Sequence, residues 1–232
     1  MLAKIFNFLS KRKTVNDVFS PSVLMPRKLC VSNILFSFSM PENFSIDMPA
    51  DDMIENIDLY NNKTLNSAGV INVLNRWWDY NVVIDGKTIK ASTRFSIDII
   101  KDIKIDPKAI FDMEKLIKLE HEELESFYTP INEQHLAQGK LESEVLLPLY
   151  PEHYRNITLN DTSWLNYTLS GSKTADFYLH PLAQNHYIKI GFHFSPHTHF
   201  LNCNELREIM GAEVERISNT FYFNKDTNAK IE

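Results

Sequence analysis

The stretch His193-Phe194-Ser195-Pro196-His197-Thr198-His199-Phe200 holds the residues best equipped for chemistry. Imidazoles at this spacing, on a strand or loop, can share a zinc-type ion, and Cys203 follows closely enough to add a thiolate. A metal-dependent hydrolase built on His193, His197 and His199 is therefore the enzymatic alternative. A two-histidine phosphoesterase would ask for two separate His-x-Thr/Ser elements. Here Thr198 falls between two histidines and no second copy exists. A metal centre also needs a full ligand count and hydrogen bonds that orient each ligand, and spacing supplies neither. The weightier reading is polar surface at a strand end, with no metal and no cofactor assigned.

Other arrangements are weaker. Glu120-His121-Glu122-Glu123 has the look of a zinc-protease helix, but the second histidine of that motif would stand where Glu125 does. No G-x-S-x-G is present, and neither Cys30 nor Cys203 has a nucleophile's local signature. Carboxylate pairs are abundant, yet nothing tunes one against another for acid–base work. The expectation is a protein that is not an enzyme.

Composition narrows the partners. The chain has 232 residues and a formal charge of −6, from 24 basic and 30 acidic side chains. It is long enough to bury a real core. Only 6 glycines occur, with neither G-x-G-x-x-G nor G-K-[ST], which argues against dinucleotide and P-loop folds. Basic residues cluster only at Lys11-Arg12-Lys13, so nucleic acid is not an expected partner. The apolar run Ile5-Phe6-Asn7-Phe8-Leu9 is short and broken by Asn7; it is read as a frayed tail or short amphipathic helix, with no stable membrane insertion. Two distant cysteines read as reduced thiols, and the location is expected to be cytoplasmic.

The elements that must position these residues follow from periodicity. Asp176–Pro196 reads as an antiparallel hairpin. Its second half alternates Ile188, Ile190, Phe192 and Phe194 against Tyr187, Lys189, Gly191 and His193. Asp85-Gly86 between β-forming runs signals another hairpin. Ile34, Phe36, Phe38 and Met40 mark an earlier strand, ended by Pro41. Asp106-Pro107 starts a helix that Thr129-Pro130 ends, with a stripe through Ile110, Met113, Leu116, Ile117 and Leu124 that Glu120 interrupts. A second, weaker helix is read over 131–147, interrupted by Gly139. A last helix starts at Asn202 or Asn204. The fold class is α+β: antiparallel sheets with hairpins at about 75–97 and 175–195, packed against helices at about 107–127 and 203–221. Residues 1–30 read as an extended or partly helical lead-in. A single domain spans 31–232, with 31–147 and 152–223 as candidate β-then-helix halves.

Three stretches carry a resemblance: FSFSMPENFSIDMPADD, the strand start Arg76-Trp77-Trp78-Asp79-Tyr80, and LHPL with HYIKIGFHF after a short turn. Together they resemble bacterial immunity proteins encoded beside polymorphic toxins, including the Rhs-type effectors of type VI secretion. The resemblance implies an α+β inhibitor that binds and blocks a cognate toxin in the cytoplasm without catalysis. Carboxylates would face a basic cleft, either from Asp51, Asp52, Glu55 and Asp58 or from the helix face Glu120, Glu122, Glu123 and Glu125. Trp77 or Trp78 would be the apolar anchor. The segment around Asp52 otherwise reads as a solvated loop with a few buried anchors, or as a short helical turn from Ala50. An adaptor subunit of a secretion machine is the remaining alternative. The oligomeric state is left open.

Overall fold

The computed structural model describes residues 23–42, 45, 52–61, 69–84, 87–101, 112–139, 154–169, 174–183, 185–197 and 202–224. They form an α+β fold of two sheets and two helices. The smaller sheet orders β10-β2-β1-β3, with β1 Leu24–Val31, β2 Ile34–Pro41, β3 Asn56–Ile57 and β10 Tyr222–Asn224. The larger orders β4-β5-β9-β8-β7-β6. Its strands are β4 Val70–Ile84, β5 Lys87–Lys101, β6 Arg155–Leu159, β7 Thr162–Leu169, β8 Ala175–Ala183 and β9 His186–Pro196. Helix α1 is Met113–Ala137 and α2 is Cys203–Ser218. Among the described residues no helix is long and apolar enough to cross a membrane.

The hairpin at Asp176–Pro196 is central as expected, because β9 pairs with β5 on one side and β8 on the other. Strict alternation sends its side chains into two different cores. Ile188, Ile190, Phe192 and Phe194 join Phe36, Phe38, Trp78, Phe95, Met210 and Phe221 between the sheets and under α2. Tyr187 on the opposite face joins Leu116, Leu124, Leu165, Tyr167, Phe177 and Leu179 under α1. Each fully buried Phe or Leu contributes roughly 1.5–3 kcal/mol, so both layers are held mainly by this burial. Gly191 is needed for close approach: a Cβ there would come within 3.0 Å of His193, Ser96 and Phe177.

Turn chemistry sets the registers. Asn160 and Asp161, at φ 46° and 59°, make the tight left-handed turn that joins β6 to β7. Asn160 also donates to the carbonyls of Asn219 and Phe221, fixing the exit of α2. Asn185, at φ 64°, closes the connection between β8 and β9, and Pro181 sits at the register shift of that pair. The Asp85-Gly86 turn lies outside the described residues.

Some element boundaries differ from those expected. Leu24–Val31, read as lead-in, is a strand paired along its length with β2. Pro26 is tolerated because the other side of β1 is taken by β3 only at Cys30 and Val31. The stretch 52–58 agrees with the loop reading, with Ile57 and Leu59 as its buried anchors and no helical turn in 52–58, and its Asn56–Ile57 runs parallel to β1. Asp106-Pro107 lies outside the described residues; the helix Met113–Ala137 is capped by Asp112, whose carboxylate accepts from the amides of Glu114 and Lys115. That helix runs through Pro130 to Ala137 and stops before Gly139, whose φ of 76° suits a glycine just past a helix end. The part of the second helix expected over 131–147 that is described, Ile131–Ala137, is the continuation of α1. Strands from both sides of residue 150 share the larger sheet, so the two β-then-helix stretches are interleaved.

Candidate functional site

His193 and His197 do not converge. His193, on β9, is half-buried with its ring edge-on to Phe177 at 5.3 Å. His197 lies four residues further, about 13 Å along an extended chain. Its Nε2 is 2.6 Å from Ser92 Oγ, which in turn donates to Asp79 Oδ1 at 2.6 Å. The residue types match a hydrolytic triad but the order does not. A working triad places the imidazole between acid and hydroxyl, so that it can take the serine proton. Here a fully buried serine lies between the other two and its proton is committed to Asp79, so the group ties strand ends together. Burial alone would raise Asp79, but the Ser92 bond with the nearby Lys90 and His197 charges holds its carboxyl below the usual range. His199 lies outside the described residues. Among the described residues no three His, Cys, Asp or Glu gather around a point that could hold a metal.

A second polar cluster lies under α1. Glu120 is fully buried, so it leaves the acidic helix face to which it was assigned. One carboxylate oxygen accepts from the Lys189 ammonium and the Tyr167 hydroxyl; the other accepts from Tyr187 at 3.4 Å. Lys189 Nζ also lies 4.9 Å from the centre of the Phe177 ring. Burial, then the Glu120 charge, pushes the Tyr167 phenol well above its usual range, so it remains a donor. Directly across from Lys189 on β5 stands Asp98, whose carboxyl burial raises. Every polar partner of Glu120 is thus supplied by the sheet, and the cluster fixes α1 in place.

A third cluster lies beneath α2. Arg207 Nε donates to Asp176 Oδ1 at 2.6 Å, and its Nη2 donates to Thr168 Oγ1 at 3.0 Å. Thr168 itself donates to Asp176 at 2.6 Å. This network forms one wall of a cleft between α2 and the β6–β7–β8 edge of the larger sheet.

The expected partner-binding residues divide sharply. Trp78 is 1% exposed and packs on Phe95, which removes it as a surface anchor. Trp77, adjacent and facing the other way, is half-buried on β4. Glu122, Glu123 and Glu125 are exposed on α1, with Glu122 beside Lys118 at 3.8 Å. Asp51 lies outside the described residues. Asp52 reaches Arg76 at 3.7 Å, while Glu55 and Asp58 face solvent.

The segment carrying Asp52, Glu55 and Asp58 is held by its backbone. Ile54 donates its amide to Val73, Cys30 to the Glu55 carbonyl, and Ser32 to the Ile57 carbonyl, at 2.9, 2.8 and 2.6 Å. Leu59 donates to the Ser32 hydroxyl. Ile57 and Leu59 are buried, whereas Ile54 and Tyr60 are 38% and 78% exposed. In the sequence the paired tryptophans are the more conspicuous anchors, and nothing local marks Ile54 and Tyr60 as the exposed apolar residues of this segment. The chain matches no protein-family model and no curated protein sequence at a significant level.

Proposed function

We propose that this protein is an inhibitor that binds a cognate secreted antibacterial toxin in the cytoplasm, as an immunity protein does, and converts nothing itself. The observation that carries this reading is the pinned ridge 52–60. It presents Glu55 and Asp58 beside Ile54 and Tyr60, on backbone already fixed by hydrogen bonds to both sheets. Preorganised backbone lowers the entropy lost on association. Exposed carboxylates steer a basic partner, and an exposed tyrosine can fill a partner's pocket. On the other side of the larger sheet, the middle of α1 exposes Glu122, Glu125 and Phe127, the last at 62%, as a separate acidic and aromatic face.

The test is binding to the product of the toxin gene adjoining this one. Glu55→Lys with Asp58→Lys is expected to slow association at least tenfold and flatten its salt dependence. Tyr60→Ala is expected to speed dissociation. Unchanged rates in both variants would remove the ridge as the binding face, and lack of binding by the unaltered protein would remove the inhibitor reading.

A further inference from the structure

Arg94 stands mid-way along β5, directly between Trp77 of β4 and His193 of β9. It is half-buried, and its Nε is enclosed with no acceptor. Its guanidinium makes no ion pair or hydrogen bond among the described residues. The acids on the same face of the sheet are engaged elsewhere. Asp98 feels the Arg94 charge, yet it accepts from Asn72 at 2.7 Å and lies opposite Lys189. Asp79 is bonded to Ser92 at 2.6 Å. An enclosed cationic donor without an acceptor is costly, more so than a neutral one.

A second unmet atom lies beside it. Asn75 pairs with Ser96, two residues along β5 from Arg94, so the two side chains are diagonal neighbours on one face. Asn75 Oδ1 is likewise buried and has no donor. A donor and an acceptor thus stand unmet on adjacent strands and do not meet each other. Together they ask for a group that accepts at one point and donates at the next. The Nε edge of a guanidinium, with the adjacent Nη, is the edge that takes a carboxylate through two parallel bonds. Trp77, half-buried and opposite Arg94, supplies an aromatic flank for an apolar substituent. The buried cluster under α1 draws on β7, β8 and β9, with Ile100 from β5, and on no residue of β4 among the described residues. The Asn75–Trp77–Arg94 sector therefore lies beside that cluster, and all three of its side chains are only half-buried.

We propose that Arg94, Asn75 and Trp77 form a binding site for an α-substituted carboxylate. The carboxylate sits on the Arg94 fork, an N–H or O–H on the adjacent carbon donates to Asn75, and the substituent lies against Trp77. The proposal goes beyond the inhibitor reading and uses none of the residues of the 52–60 ridge. The same chemistry is carried by a free hydroxy acid or acylamino acid and by the C-terminus of a polypeptide, so the test separates these sources.

The experiment follows the Trp77 indole and Asn75 side-chain amide signals by NMR during titration with acetyl-L-alanine, propionate, acetyl-L-alanine amide and acetyl-Gly-Gly-L-alanine. Saturable shifts with acetyl-L-alanine are expected, weaker binding of propionate, which lacks the N–H, and none of the amide, which lacks the charge. Arg94→Lys keeps a cation but loses the fork, and should weaken binding by about tenfold or more. Asn75→Ala should bring acetyl-L-alanine down to the affinity of propionate and leave propionate unchanged, a result that general loss of structure would not give. The indole signal of Trp164, buried in the other core, reports the native fold in each variant. Binding of the tripeptide as tight as that of acetyl-L-alanine assigns a chain terminus; its exclusion assigns a free small molecule. Shifts that do not saturate, equal binding of the amide, wild-type affinity in Arg94→Lys, or tighter binding of inorganic phosphate would overturn the proposal.

Discussion

Lys189 stands between two carboxylates, Glu120 above it on α1 and Asp98 beside it on β5. Glu120 has no route to water, so its charge depends on that one ammonium and on two tyrosine hydroxyls. Removing one member of a buried pair strands the other. Lys189→Ala is therefore expected to cost about 3–5 kcal/mol in urea unfolding, whereas Lys189→Met combined with Glu120→Leu should recover most of that loss. Failure of the double variant to recover would mean that packing of the lysine stem, rather than charge, holds the site. Glu120 already stood out in the sequence as the break in the apolar stripe of its helix. Its partner did not, because pairing across 69 residues of chain leaves no trace in local spacing. The histidines show the reverse case: their spacing suggested convergence, and the extended strand keeps His193 and His197 apart.

At the scale of elements, helix α1 keeps a proline that its own hydrogen bonding does not want. Pro130 lies within Met113–Ala137 and supplies no amide to the turn before it. Exposure of Ser126 lets the freed carbonyl face solvent, so the helix survives. Pro130→Ala should raise stability by about 1 kcal/mol or more, read as a higher Tm with unchanged helix content; a lower Tm would mean that the proline sets a bend the packing needs. The same breaker rule explains why the end of this helix was misplaced in sequence. It also explains β1, where Pro26 suggested an irregular lead-in although the outer side of the strand there needs no donor. The hairpins and α2 were legible because their signals are local. Alternation places β9, and Asn202 with Glu205 forms the reciprocal cap that starts α2.

For the molecule as a whole, Phe36 is the point where the layers meet. It lies 6.0 Å from Trp164 of the larger sheet, 5.7 Å from Phe221 after α2 and 4.7 Å from Phe223 on β10. Phe36→Ala should cost about 3–5 kcal/mol and shift a single unfolding transition to lower denaturant. Two separate transitions would mean that the sheets fold independently. Assembly order follows from the position of β9. Ala91 pairs with Pro196 and Lys101 with His186, so the β4–β5 hairpin is made early in synthesis but completed late. Until β9 leaves the ribosome, the nascent hairpin carries an unzipped edge and a greasy face. This gives the protein slow, distance-dominated folding kinetics and a window in which chaperones have something to hold.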